Sequence, residues 1–367
     1  MNSFDNMISI LEKDRTPKNQ FIYIIGNNGS GKSTYLSGCV DNFKGDFNKI
    51  IGLPCGVFDR FSPKSKDNYY YCGFKANTNA VFLSAISKYI TLLILNLISK
   101  KKISFLEKVL VDMELDLIFE SAATLWDKRI PIKRRTNDED KIKSKNAIDR
   151  YRNINDWREL SADDASTLEG SISKDLKFSA RFRPIKSEVE HFSAENLSSG
   201  YLQKLHMVLS VAKEAENNCL ILIDEPEISL HVKWQAELPK LFRQAISELT
   251  NCVVIVATHS PVIVSNSTLE DDYIYMIPNG ETVESHNVDG NIETLLFEQF
   301  GYLPLDSHVI SEMCADFIHR VTRQPSLAPR YKKHLADLKK SFPLSASDKK
   351  FIEKTLGVIE IVEQTKD

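Results

Sequence analysis

The chain has 367 residues, 42% hydrophobic and 26% charged, which is the make-up of a globular protein able to bury a sizeable core in one large domain or in a head with an accessory domain. A formal net charge of −3 excludes a chain that is basic throughout, so any nucleic-acid contact would need a local patch. Six cysteines (Cys39, Cys55, Cys72, Cys219, Cys252 and Cys314) lack CxxC or zinc-finger spacing and read as reduced thiols in a cytoplasmic setting.

In chain order, the opening MNSFDNMISILEKD lacks the basic start and apolar stretch of a secretory signal. Phe21 to Ile25 is an apolar run ending at Gly26 and reads as a buried strand, followed by helical composition from Ser33 to Val40 and a second strand from Lys49 to Leu53. Residues 54 to 80 are rich in Pro, Gly, Asn and Tyr and read as turns and loops. Val81 to about Trp126 reads as helical. Within it VFLSAISKYITLLILNLI, from Val81 to Ile98, is interrupted by Ser84, Ser87, Lys88, Thr91 and Asn96, so a buried helix is expected rather than a membrane span, which needs about 20 mostly apolar residues.

Residues 128 to 165 carry dense charge of both signs and read as a solvated helical surface or insertion; the sharper alternative makes Lys133, Arg134 and Arg135 a phosphate-binding patch. Asp175 to Pro184 alternates like a strand. A helix is expected from Leu202 to Ala215, a strand at Cys219 to Ile223, a helix near Lys233 to Leu249 and a strand at Cys252 to Ala257. Near-continuously apolar strands alternating with helices predict an α/β fold with a covered parallel sheet. From Ser307 to Val362 the chain reads as a helical tail with clustered Lys332, Lys333, Lys339 and Lys340.

Three segments carry chemistry. Gly26-Asn27-Asn28-Gly29-Ser30-Gly31-Lys32-Ser33-Thr34 fits G-x-x-x-x-G-K-[ST] between a strand and a helix. Such a loop turns backbone N–H groups onto phosphates at a helix N-terminus, with Lys32 as the charge for the β and γ phosphates and Ser33 as a hydroxyl for Mg²⁺. Leu220 to Ile223 followed by Asp224 and Glu225 places two carboxylates at the end of a buried strand. Asp224 would hold magnesium and Glu225 would orient and deprotonate the attacking water. Leu197-Ser198-Ser199-Gly200-Tyr201-Leu202-Gln203 opens a helix with a Ser-Ser-Gly turn, an unremarkable cap by itself and an anion site in the right company.

That last segment resembles the LSGGQ signature of ABC-type ATPases, and Ser199 stands 25 residues ahead of Asp224. Ser229-Leu230-His231 resembles the D-loop of that family, and Thr258-His259-Ser260 resembles the segment carrying its switch histidine. The resemblance covers about residues 18 to 80 and 175 to 300. It implies an ABC-type P-loop head, hydrolysis of ATP with Mg²⁺, and a head-to-tail homodimer. In that arrangement Ser198, Ser199, Gly200, Gln203, Ser229 and His231 of one copy face the nucleotide held by the other, and His259 senses the γ-phosphate.

DEPEISLH (Asp224 to His231), followed by Trp234-Gln235, and Thr258-His259-Ser260-Pro261 look less like a transporter than like ATPases of bacterial defence systems. These include the overcoming-lysogenization-defect family and the ATPase subunits of Septu, retron and PARIS systems. Two departures stand out. Ser199 replaces the usual glycine, and there is no glutamine between Gln20 and Gln203 for the Q-loop, where Asn77 or Asn79 is a candidate substitute.

The expected organisation is a head at residues 1–80 and 175–300, a helical insertion at 81–174 and a helical tail at 301–367. The 167 residues from Lys32 to Ser199 exceed what a transporter head needs and fall far short of a long SMC coiled coil. Three readings follow: a defence ATPase controlling a separate effector nuclease or toxin, an SMC-like repair ATPase acting on DNA, and a transporter's nucleotide-binding subunit. Low basicity argues against the second, and the missing Q-loop glutamine argues against the third. No DxD metal site follows His259, so no nuclease centre is expected in this chain; with Val81 to Ile98 read as a buried helix and the transporter reading disfavoured, no membrane partner is expected either.

Overall fold

The structure is a computed structural model and describes residues 18–26, 29–56, 60–73, 83–121, 146, 149, 156–172, 178–186, 190–267, 272–276, 283–285, 297, 308–342 and 344–364. Asn27, Asn28, Asn77, Asn79, Lys133, Arg134 and Arg135 lie outside the described residues.

The head is built on a seven-stranded sheet. Its strands are β1 (Gln20–Ile25), β2 (Lys49–Pro54), β3 (Tyr69–Tyr71), β7 (Cys219–Asp224), β8 (Val253–Thr258), β9 (Tyr273–Met276) and β10 (Val283–Ser285), in the order β10-β9-β1-β8-β7-β2-β3. All neighbours run parallel except β9 and β10, which pair antiparallel. A parallel sheet must be covered on both faces, which explains the unbroken apolar runs of β7 and β8. In β1 the faces alternate. Phe21, Tyr23 and Ile25 join the core on one side, while Ile22 and Ile24 join the core on the other, against α1 (Lys32–Asn42).

The first of these cores is roofed by α2 (Leu83–Ser99), α3 (Ile103–Asp112), α4 (Ala162–Ile172), α5 (Ser199–Glu214) and α6 (Val232–Ala245). In α2, Ile90, Leu93, Ile94, Leu95, Leu97 and Ile98 are fully buried, and Thr91 receives a hydrogen bond from the Ala180 amide at 2.9 Å. Among the described residues no helix is long and apolar enough to cross a membrane.

The helical reading of 81 to 126 needs correcting. It ends at Asp112, and Leu115–Ser121 is strand β4, paired antiparallel along its length with β5 (Phe178–Pro184), which in turn pairs with β6 (Phe192–Ser193). The insertion is therefore part sheet. Asp112 closes α3, Glu114 lies in the turn that follows and Asp116 lies in β4. Likewise β3 lies in a stretch read as loop and extends the main sheet edge through Ile50 and Ile51.

A short helix α7 (Pro261–Ser265) follows β8. The C-terminal helices α8 (Val309–Arg323), α9 (Ala328–Ser341) and α10 (Ala346–Gln364) share their own core, centred on Ile310, Val321, Leu335, Ile352 and Ile359.

Candidate active site

Because β1, β8 and β7 are adjacent and parallel, the residues that follow each strand meet at one sheet edge, the carboxyl edge where α/β sheets place ligands. Beyond β1 the loop turns through Gly29 and Gly31, whose φ values of 81° and 97° lie in the left-handed region that glycine enters at no steric cost. That turn starts α1 at Lys32 with no side-chain cap, leaving its first amides directed at the loop. Lys32 is buried, and its Nζ donates to the Gly26 carbonyl at 2.8 Å. The same Nζ lies 2.7 Å from Nε2 of His259.

His259 follows β8, with Nε2 3.5 Å from Oε1 of Glu225. Lys32, His259 and Glu225 therefore form one chain of contacts across three strands. Burial and the Lys32 ammonium hold the His259 imidazole below its usual value, against the Glu225 carboxylate. Burial also lowers Lys32, and Glu225, Glu227 and Asp224 oppose that.

Beyond β7, Asp224 is buried and its carboxyl is pushed up to about 6, chiefly by burial, against a hydrogen bond from Ser33. Its Oδ1 is buried without a hydrogen-bond partner, as is Oγ of Ser30. A buried carboxylate oxygen left without a partner costs free energy unless a cation or donor joins it. Among the described residues no three His, Cys, Asp or Glu side chains cluster to cage a metal. The donor set fits magnesium, which takes one or two protein oxygens together with substrate phosphates. Glu225 has φ 52° and Ser229 φ 64°, two left-handed residues in one short turn, a kind of strain that collects at functional sites.

Ser198 caps α5 in extended conformation, and Ser198, Ser199, Ser229 and His231 are all exposed. The structure brings these segments together. A Cβ on Gly200 would sit 2.8 Å from the Ser229 carbonyl and 2.9 Å from the Trp234 ring, and Tyr201 meets Trp234 edge-on at 4.7 Å. His231 caps α6, its Nδ1 accepting from the Lys233 amide at 3.3 Å. Gln203 is buried beside the Cys55 thiol, so it does not join the exposed group. Thr34 is exposed on α1.

One residue went unassigned in the sequence reading. Glu227 accepts from the Thr258 hydroxyl at 2.7 Å and from the His259 amide at 2.5 Å. The second acid of DEPE was the available signal.

A family model described as "AAA domain, putative AbiEii toxin, Type IV TA system" matches residues 190–265. The petrobactin import ATP-binding protein YclP of Bacillus subtilis (strain 168) is 29% identical over 105 residues, 29% of this chain and 39% of that protein. Among solved structures, cbiO1 from Clostridium perfringens, part of the ABC transporter complex cbiONQ, aligns at 15% identity over 80% of this chain and 82% of its own, with a TM-score of 0.31. An Smc head domain with an extended coiled coil, bound to the C-terminal domain of ScpA derived from Pyrococcus furiosus, aligns at 14% identity over 73% and 90%, also with a TM-score of 0.31. Scores that low carry no weight, and the α/β class rests on the strand order above. Motifs, sheet topology and the sequence matches together support a P-loop ATPase of the ABC type.

Proposed function

We propose that the chain binds and hydrolyses ATP with magnesium, pairs head-to-tail with a second copy around the nucleotide, and by that cycle controls a separate effector in defence against phage. The observation that carries the ATPase reading is the meeting of Lys32, Ser33, Asp224, Glu225 and His259 at the ends of three adjacent strands.

Lys32 would leave His259 and Gly26 to bind the β and γ phosphates, while the loop amides cradle them. Ser33 and Asp224 would hold magnesium, which when bound neutralises phosphate charge. Glu225 would orient the attacking water and take its proton, and His259, freed from Lys32, would meet the γ-phosphate. Ser198, Ser199, Gly200, Ser229 and His231 would complete the partner's site; buried Gln203 would support them from behind. Phosphate release by the purified chain, abolished by chelating magnesium, is the direct test. Absence of any ATP turnover sinks the enzyme reading.

The defence role is supported by the DEPE and THSP segments and by the match over residues 190–265 to a family described with a toxin system. Expressed with its neighbouring genes, the wild-type chain should protect cells from phage and the Lys32→Ala chain should not. An SMC-like role on DNA is the second reading; tight, salt-sensitive DNA binding by the chain alone would favour it.

A further inference from the structure

A continuous run of hydrogen bonds joins the His259 segment to the turn that carries Ser229. The Glu227 carboxylate receives the His259 amide on one oxygen at 2.5 Å and the Thr258 hydroxyl on the other at 2.7 Å. The Thr258 oxygen in turn accepts from the Ser260 amide at 2.9 Å, and the Ser260 hydroxyl donates to the Gln235 side chain at 2.6 Å. Gln235 closes the circuit from its amide nitrogen to the Leu230 carbonyl at 3.0 Å. Both ends of the run thus belong to Glu225–Leu230, and its middle holds the backbone on either side of His259.

We infer that Glu227, Ser260 and Gln235 are positioning residues that fasten His259 to the Glu225–Leu230 turn, so that a load on exposed Ser229 is felt at the histidine. This rests on the proposed dimer, in which that turn meets the other copy. The geometry favours transmission over simple padding. The turn is already strained at Glu225 and Ser229, and a strained turn has alternatives close in energy. Glu227 grips the His259 backbone directly, so a shift of the turn cannot leave the ring where it was.

The test uses the full chain carrying Gln235→Leu, Gln235→Glu or Glu227→Gln, with thermal unfolding as a check on folding. Gln235→Leu should lower kcat roughly tenfold while KM for ATP stays within about twofold, the pattern of a lost transition-state interaction. Gln235→Glu keeps the acceptor for Ser260 but loses the bond to Leu230, so it should recover part of that loss; if Gln235→Leu does not fold, this same-sized variant decides the question. In a His259→Ala background neither Gln235 nor Glu227 changes should lower kcat further, because their route ends at the ring. An equal loss in both backgrounds overturns the inference. Histidine ring NMR on the nucleotide-free chain gives a readout that needs no hydrolysis: the His259 resonances should shift in Gln235→Glu. Unmoved resonances overturn the coupling even if ATP is hydrolysed, whereas a wild-type chain that hydrolyses nothing but shows the shift defeats the ATPase proposal alone.

Discussion

Lys32 is the side chain on which the site turns. It is buried against Gly26 and His259 with three carboxylates nearby, so binding a phosphate would mean exchanging those contacts for it. Lys32→Ala should lower ATP affinity sharply, and unchanged binding heat in a calorimetric titration would defeat the assignment. Glu225→Gln keeps the shape of the side chain but cannot take a proton; hydrolysis should be lost while ATP still binds, as a filter-binding assay with labelled ATP would report. His206 makes a separate prediction about stability. It is fully buried on α5 against Tyr89, and burial lowers it to about 3, against a hydrogen bond that the ring gives to the Cys72 backbone. Its folded value lies below its unfolded one, so the unfolded chain takes up the proton first. Stability is therefore complete above about pH 6.5 and falls as the pH drops towards 3, by about 2 kcal/mol at pH 5. Urea unfolding of His206→Gln should show a shallower decline between pH 6.5 and 5 than the wild type. These residues differ in legibility. Lys32, Asp224 and His259 stand in spaced motifs, whereas Glu227 and His206 acquire their roles from neighbours distant in the chain.

At the scale of elements, the contact between α5 and the D-loop-like turn depends on a missing side chain. A Cβ at position 200 would meet the Ser229 carbonyl and the Trp234 ring, both closer than 3.0 Å, and neither the backbone oxygen nor a ring packed on Tyr201 yields cheaply. Gly200→Ala should destabilise the chain by about 1–3 kcal/mol and separate the two exposed segments, which denaturant unfolding and ATP-dependent pairing would both register. The elements that sequence reveals best are those with one dominant signal. β1, β7 and β8 are unbroken apolar runs because both sheet faces are covered, and α1 is announced by its glycine loop. β4 was hidden. Leu115, Leu117 and Phe119 face inward with period two, but the strand follows α3 through a tight turn in which Glu114, not glycine, takes φ 52°. With no Gly or Pro to mark the break, the helical pattern ran on across it. β3, β6 and β10 are two or three residues long, too short to show periodicity, and they exist through pairing alone.

For the whole molecule, the decisive feature is that Ser198, Ser199, Ser229 and His231 form an exposed group, whereas Lys32 and Asp224 are buried at the strand ends. Under the proposed head-to-tail pairing these are the two halves of one composite site, and they can be broken separately. Ser199→Arg places a bulky cation where the partner's γ-phosphate would sit and leaves the strand-end residues untouched, so that variant should bind ATP yet fail to pair. Lys32→Ala should do the reverse at its own pocket while still offering an intact Ser199 surface. In a mixture, the pocket of Ser199→Arg and the surface of Lys32→Ala can build one complete composite site, because the faulty surface and the faulty pocket fall together on the other. Analytical ultracentrifugation with ATP should then show a mixed pair where neither variant pairs alone, with hydrolysis restored to at most about half if the two sites turn over independently. Normal ATP-dependent pairing by Ser199→Arg alone would rule out the composite site, since the arginine could not then lie against the partner's nucleotide.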